Sequence, residues 1–384
     1  MKKIYLDYAA STPIHPQVLR VINNHLKNNF ANSMSLHFFG QKAATAVEES
    51  RRKIAQIINA KPEEIIFTSS ATESNNLALK GVAFSAKKKG KNHLIVSSIE
   101  HDCVLESAKW LQTQGFKVSF LPVDKYGFIN FDELKKLIGK NTFLVSVMHA
   151  NNEIGTIQDI AEIGKICRQK SVYFHTDAAQ TFGREKIDVE EMNIDLLTAS
   201  SHKIYGPKGA ALLYVRKGVM IEPILHGGGH EGGLRSSTLN VPAIIGFAEA
   251  SEIMQKEAKK ENERLKKLRD YMIEQILIQI PRTHLNGHPQ KRLANNINIS
   301  FNGVEGESLV MELSFAGIAV STGSACSSKN LMPSHVLQAL GLPPQEAHGS
   351  LRISLGRYTT KEEIDKTIFA LKKNVEKLRK ISPF

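Results

Sequence analysis

Asp177 and Lys203 are the residues of this chain whose types and spacing most directly ask for chemistry. They fall within residues 173–215, YFHTDAAQTFGREKIDVEEMNIDLLTASSHKIYGPKGAALLYV. Two short apolar runs, 172–176 and 194–199, have the length of buried strands, and each ends in polar groups. A third run, 210–215, follows the rigid Gly206-Pro207 turn. Asp177 and Gln180 come after the first strand, and Ser200, His202 and Lys203 after the second. Strand ends are where open α/β sheets bind ligands. Standing alone, a carboxylate and a lysine there would serve equally as a surface ion pair. With a Ser-Ser-His approach and a Gly-Pro exit they suit pyridoxal phosphate, whose aldehyde takes a lysine amine and whose ring nitrogen takes an acidic partner. An ionised carboxylate keeps that nitrogen protonated and the ring electron-withdrawing.

Other candidates occupy similar junctions. In EEIIFTSSATESNNLALKG an apolar strand ends in hydroxyl residues and turns into a helix, with Thr72 placed as its cap. Free amides at such an end suit a phosphate, and an ordinary cap has the same composition. His101, in EHDCVL, is either a packed histidine or a stacking, proton-carrying imidazole. Asn152, in HANNEIG, is either a turn asparagine capping Glu153 or a ligand's hydrogen-bond partner. Cys103 and Cys167 sit in or beside helical patterns, whereas Cys326 lies in STGSACSSKNLMPS, small and hydroxyl residues that argue for an accessible thiol. Arg352, in LRISLGR, offers a planar fork for a carboxylate, and Arg357 is the weaker candidate.

The elements that must hold these residues alternate strand and helix. Strands are predicted at 65–68, 93–97, 117–121 and 143–148, with helices at 41–58, 73–86, 104–114, 131–138 and 160–169 between them. That order implies an α/β fold, a mainly parallel sheet with helices on its faces. After residue 267 the pattern changes to a helix up to 280, a strand at 296–301, a helix from 307 and a strand and loop around IAVSTGSACSS, which reads as a smaller α+β domain. The charged run EIMQKEAKKENERLKK, 252–267, reads as an exposed helix face joining the two. The expected organisation is a segment 1–14 packing with the small domain, a large cofactor-binding domain 15–254, and a small domain 255–384 carrying the Cys326 loop.

Composition limits the alternatives. The chain has 384 residues, 42% hydrophobic, enough for a sizeable core. No apolar run has the length of a membrane span, and MKKIYLDYAASTP is unlike a signal peptide, so a cytoplasmic protein without membrane contact is expected. Three cysteines without a CxxC pair make neither a disulfide framework nor a structural zinc site. The net charge of +12 and the run at Lys87–Lys91 come without interleaved aromatics or a nucleic-acid module, so the run reads as a solvated helix end and no direct nucleic-acid binding is expected.

DAAQ followed by SSHKIYGPKG resembles the cysteine desulfurases, the NifS and IscS branch of the class V, fold-type I pyridoxal phosphate enzymes. YLDYAASTP, FTSSATESNNLALKG, EHDCVL, MHANNEIGTIQDI, HGGGHEGGLRSSTLNVPAIIGFAEA, STGSACSS and LRISLGRYTT match in the same order, so the resemblance spans nearly the whole chain. It implies conversion of L-cysteine to L-alanine with a persulfide on Cys326, supplying sulfur for iron-sulfur cluster assembly or for tRNA or cofactor thiolation. It also implies a homodimer and a sulfur-acceptor protein, such as an iron-sulfur scaffold or a thiolation enzyme. Phosphate contacts carry over to Ala71, Thr72, Ser200 and His202, and to Thr238 reaching across the dimer interface. His101 would stack on the ring and act in acid–base steps, Asn152 would lie by the substrate carboxylate, and Gln180 by the cofactor's phenolic oxygen. Lys203 becomes the proton carrier, and Cys326 the nucleophile on a long loop. No resident metal is implied; a transient contact of Cys326 with an iron-sulfur cluster on a scaffold stays open.

Three positions depart from the pattern: Ser33 where relatives commonly carry proline, and Gly232 and Ser237 where arginine and glycine are usual. The chain ends at KISPF without the tail by which housekeeping members engage the scaffold, so its acceptor is less defined than its chemistry. Two other classes remain: a selenocysteine lyase, aminotransferase or other pyridoxal phosphate enzyme with no need of Cys326, and a catalytically silent basic binding protein.

Overall fold

Buried apolar runs become strands, and the parallel strands of the largest sheet all end at the same edge. The structure, a computed structural model, describes residues 3–323 and 333–381; Cys326 lies outside the described residues. Its strands are β1 (Ile4–Tyr5), β2 (Ile65–Thr68), β3 (His93–Ser97), β4 (Lys117–Leu121), β5 (Thr142–Ser146), β6 (Tyr173–Asp177), β7 (Leu196–Ser200), β8 (Ala211–Val215), β9 (Thr283–Leu285), β10 (Asn296–Phe301), β11 (Ile318–Ala319) and β12 (Ser350–Ser354).

Seven of them form one sheet in the order β2-β8-β7-β6-β5-β3-β4. The run from β4 to β7 is parallel, and β8 lies antiparallel to both β7 and β2. Every residue of β2, β3, β5, β7 and β8 is buried, because helices cover both faces of the sheet. On one face Val18, Val47, Ile54 and Phe247 pack against Phe67, Val145 and Leu197. On the other, Leu79, Val82 and Leu111 pack against Leu94, Val96 and Leu144. Each such side chain removed from water contributes about 1.5–3 kcal/mol.

β6 and β7 run one residue further than the apolar pattern, to Asp177 and Ser200. Apolarity reports burial, whereas the strand continues wherever the ladder does: the Asp177 carbonyl accepts His149 N–H at 3.0 Å. The helix expected at 73–86 is Ala71–Asn76, a π turn Leu77–Gly81, and Val82–Lys87. Gly81 is required there, since a Cβ would lie 2.5 Å from the Glu222 carbonyl oxygen.

The helix Val241–Gln279, 39 residues long, starts at Asn240, whose side chain accepts Ala243 N–H. Its first turns bury Phe247 and Met254 in the large core, and its last bury Met272 and Ile276 beside Ile299, Leu351 and Leu371. The charged stretch 252–267 is thus the middle of one unbroken helix, and the helix expected after 267 is its continuation. Its end packs against a sheet β12-β10-β9, antiparallel throughout and backed by helices Gly306–Phe315 and Lys361–Ile381. β1 pairs in parallel with β11, Ile4 opposite Ile318. The segment after β1 passes from there to the large sheet, where Thr12 N–H reaches the His202 carbonyl at 3.0 Å and His15 N–H the Tyr205 carbonyl at 2.9 Å.

Candidate active site

A cavity of about 310 Å3 opens beyond the ends of β6 and β7. Asp177, only 5% exposed, closes β6 and lines it. Its Oδ1 accepts Ala179 N–H at 2.9 Å and its Oδ2 accepts Asn75 Nδ2–H at 2.7 Å. These neutral donors orient the carboxylate without neutralising it. Lys203 stands in the single turn after β7, where its Nζ donates to the carbonyl oxygens of Ala9 at 2.6 Å and Ala10 at 2.9 Å. Gln180 Nε2 donates to the same Ala9 oxygen at 3.0 Å.

At the start of helix Ala71–Asn76 the cap is Ser70, not Thr72. Ser70 Oγ accepts Glu73 N–H at 3.2 Å, while Glu73 Oε2 accepts Ser69 N–H at 2.8 Å and its Oε1 accepts from Arg235 Nε at 2.6 Å. This reciprocal arrangement places Ala71 and Thr72 in the first turn, where amides have no intrahelical acceptor, and both line the cavity. His101 caps the helix Asp102–Thr113 through Nδ1, which accepts Cys103 N–H at 3.2 Å, and its ring also lines the cavity. His202 is held neutral: burial, then Lys203 and Lys208, push it down to about 4. It therefore interacts with a ligand as a hydrogen-bonding group and not as a cation.

Arg352 comes from the small sheet. Its Nη2 meets Asp7 Oδ1 at 3.0 Å and its Nη1 the Asn152 carbonyl at 3.3 Å, with the side chain only 4% exposed. Its buried Nε has no hydrogen-bond partner among the described residues. An unmet buried donor costs about 1–3 kcal/mol, and more on a charged group. Arg352 lines the cavity, and its planar fork suits a carboxylate. Replacing Arg352 by lysine, a point charge without the fork, should raise KM for an amino-acid substrate by about 10- to 100-fold and change kcat less, measured by steady-state kinetics.

The cavity thus gathers Asp177, Lys203, His101, His202, Gln180 and Arg352, together with Ala71, Thr72 and Asn152. Ser200 is buried at the end of β7 and Thr238 is exposed; neither lines the cavity. The turn asparagine is Asn151, whose Oδ1 accepts the amides of Glu153 and Ile154, which leaves Asn152 for the cavity. Arg357 is engaged elsewhere, paired with Glu257 at 2.5 Å and lying over the Tyr205 ring. Cys167 is buried in the core, and burial pushes its thiol up. Burial, then Asp177, pushes the Cys103 thiol up to about 12, so neither is a ready nucleophile. No group of His, Cys, Asp and Glu suited to a metal ion occurs among the described residues.

Sequence reasoning missed Asn75, Asp7 and the carbonyls of Ala9 and Ala10. Asn75 and Asp7 lie inside recognised stretches but carry no chemical signal there, and a backbone carbonyl has no sequence signature.

The residues 4–367 match the family described as "Aminotransferase class-V". A "Cysteine desulfurase IscS" from Dictyoglomus turgidum is 51% identical over 383 residues, covering 100% of this chain and 97% of the relative. A solved "NIFS-LIKE PROTEIN" superposes with a TM-score of 0.91 at 39% identity, over 98% of this chain and 99% of that one. A second structure, "SspA in complex with cysteine", superposes with a TM-score of 0.82 at 40% identity, over 94% and 100%. This chain belongs to class V of the aminotransferases, in the cysteine desulfurase branch. The cofactor of that family is pyridoxal phosphate. The family's cofactor fits the donor set seen here: a buried carboxylate oriented by neutral donors, a lysine at the next strand end, an imidazole at the cavity wall and a helix start.

Proposed function

We propose that this class V enzyme converts L-cysteine to L-alanine, keeps the sulfur as a persulfide on Cys326, and passes it to an acceptor protein. The observation that carries the reading is one cavity lined by Asp177, Lys203, His101 and Arg352. Lys203 Nζ would hold the cofactor's aldehyde, Asp177 its ring nitrogen and Gln180 its phenolic oxygen. The amides of Ala71 and Thr72, with His202, would hold its phosphate; the family resemblance adds Ser200, whose side chain does not line the cavity. When bound, pyridoxal phosphate supplies the electron sink that acidifies the substrate's α-carbon and weakens its Cβ–Sγ bond. Arg352 and Asn152 orient the substrate carboxylate. Lys203 Nζ would take the α-proton, and His101 would lie against the cofactor and carry protons in the later steps. The Cys326 thiolate attacks the substrate sulfur: an S–S bond forms, the Cβ–Sγ bond breaks, and its electron pair stays with carbon, which gains a proton as alanine. Cysteine and a thiol thereby yield alanine and a persulfide with no external oxidant. Residues 15–254 would hold the cofactor and 255–384 would carry Cys326.

Cys326→Ser tests this. The variant should still bind cofactor and cysteine, seen as a spectral change on adding substrate, yet form no persulfide and release alanine about 100-fold more slowly or worse. In the wild type, iodoacetamide near neutral pH should inactivate by labelling Cys326 ahead of Cys103 and Cys167. Alanine release from Cys326→Ser at the wild-type rate would replace this reading with a selenocysteine lyase or general β-lyase.

The acceptor would be an iron-sulfur scaffold or a thiolation enzyme, and the working form a homodimer in which Thr238 reaches the partner's phosphate site. The exposure of Thr238 supports this, as do the exposed Phe30, Met34, Leu36 and Phe38, apolar surface that a second subunit would cover. Sedimentation velocity should find a dimer, and an active monomer would refute it. Among the described residues no helix is long and apolar enough to cross a membrane.

A further inference from the structure

Asn75 and Cys103 connect Asp177 to His101 by a continuous chain of hydrogen bonds. Asn75 is fully buried, and its Nδ2 lies 2.7 Å from Asp177 Oδ2 and 3.1 Å from Cys103 Sγ. The reverse amide orientation would set its oxygen against the carboxylate, so the amide group must face Asp177. Carrying two protons, it satisfies both acceptors. Cys103 Sγ in turn lies 3.1 Å from His101 Nδ1. Nδ1 already accepts the Cys103 backbone N–H at 3.2 Å, so it is the unprotonated ring nitrogen. The sulfur accepts from Asn75 and also meets the Thr72 side chain, and the acceptor Nδ1 at 3.1 Å is where the thiol proton donates in this relay. Burial keeps that proton on sulfur, with the thiol pushed up to about 12.

We infer that Cys103, oriented by Asn75, is a positioning residue for His101: its thiol and its amide together hold Nδ1 unprotonated and present the imidazole to the reaction as the Nε2–H tautomer. A second proton on Nδ1 would displace both the thiol and the helix cap. His101 therefore starts the cycle with its proton on Nε2 as a hydrogen-bond donor, its ring angle set by the same two bonds, and takes up a proton in the later steps only by breaking them. Asn75 couples that setting to Asp177, so the carboxylate that would hold the ring nitrogen and the imidazole are placed by one chain of contacts. This rests on the desulfurase reading for its catalytic consequence and on geometry alone for the relay.

The relay is read by infrared spectroscopy of the S–H stretch in the full-length protein as purified, without substrate. A wild-type minus Cys103→Ser difference spectrum should show an S–H band lowered by hydrogen bonding, and in His101→Phe that band should move to higher frequency. A Cys103 band that ignores His101→Phe overturns the inference. In kinetics, Cys103→Ala should lower kcat about five- to tenfold with KM for cysteine little changed, the size of one lost hydrogen bond. Cys103→Ser, whose hydroxyl both accepts and donates, should restore most of it. Wild-type kcat in Cys103→Ala, or no recovery in Cys103→Ser, also overturns the role. Wild-type protein that turns over no cysteine while showing the lowered band would count against the desulfurase reading and leave the relay standing.

Discussion

Lys203→Ala should lower alanine release from cysteine by about 10,000-fold or more, since one substitution removes both the cofactor's tether and the proton carrier at the α-carbon. The Lys203 amine is placed by the Ala9 and Ala10 carbonyls, and a methyl group offers nothing to either oxygen or to the substrate. Lys203→Arg should fail nearly as badly, because a guanidinium does not give up its proton in a protein. Alanine chromatography measures the rate. Borohydride reduction of the yellow wild-type protein followed by peptide mapping should fix the cofactor to residue 203. A label on another lysine, or no cofactor in freshly expressed protein, would sink the assignment.

Asp177→Ala should be the next most damaging change, lowering kcat by about 100- to 1,000-fold, the usual loss when a placed electrostatic group is removed from a catalytic site. The reason lies in its partners. Ala179 N–H and Asn75 Nδ2–H orient the carboxylate, so no built-in cation shares its charge at either bond. Asp177→Asn should be almost as harmful: it loses the charge, and one arrangement of its amide would meet Asn75 donor to donor. The cofactor's absorption, recorded with kcat, separates weak binding from weak chemistry. A variant that keeps kcat within about twofold of wild type at full cofactor occupancy would remove Asp177 from the mechanism.

Much of this site was legible in the chain because β6 and β7 are apolar runs ending in polar groups. Such runs report burial on both faces, and the residues just past their ends lie at the sheet's ligand-binding edge. Asp177 and Lys203 could be read that way, whereas Cys326 stays an expectation from its small-residue context, in a stretch outside the described residues. Local chemistry with two near-equal solutions was harder: Thr72 was expected as the cap, and Ser70, a hydroxyl two residues earlier, takes the Glu73 amide instead. The charged stretch 252–267 looked like a joint because its exposed face is continuous, whereas the buried stripe of Val241–Gln279 persists on both sides of it. Contacts such as Asp7 with Arg352, or Lys203 with Ala9, join residues far apart in the chain, and no periodicity reports a pairing of that kind. Thr238 and the phosphate contacts came from family resemblance alone.

The segment from β1 to His15 also bears on how the protein is made. It pairs with β11, gives Asp7 to Arg352 on β12, and supplies the carbonyls on which Lys203 and Gln180 rest. During synthesis these residues leave the ribosome early, but β11 and β12 emerge only some three hundred residues later, so the segment must wait for the partners that hold it. The large sheet can form from neighbouring elements in the meantime. Substrate-binding competence is therefore acquired only once β12 has been made, and a ribosome-stalled chain ending before residue 350 would already contain Asp177 and Lys203 without the strand that brings in Arg352.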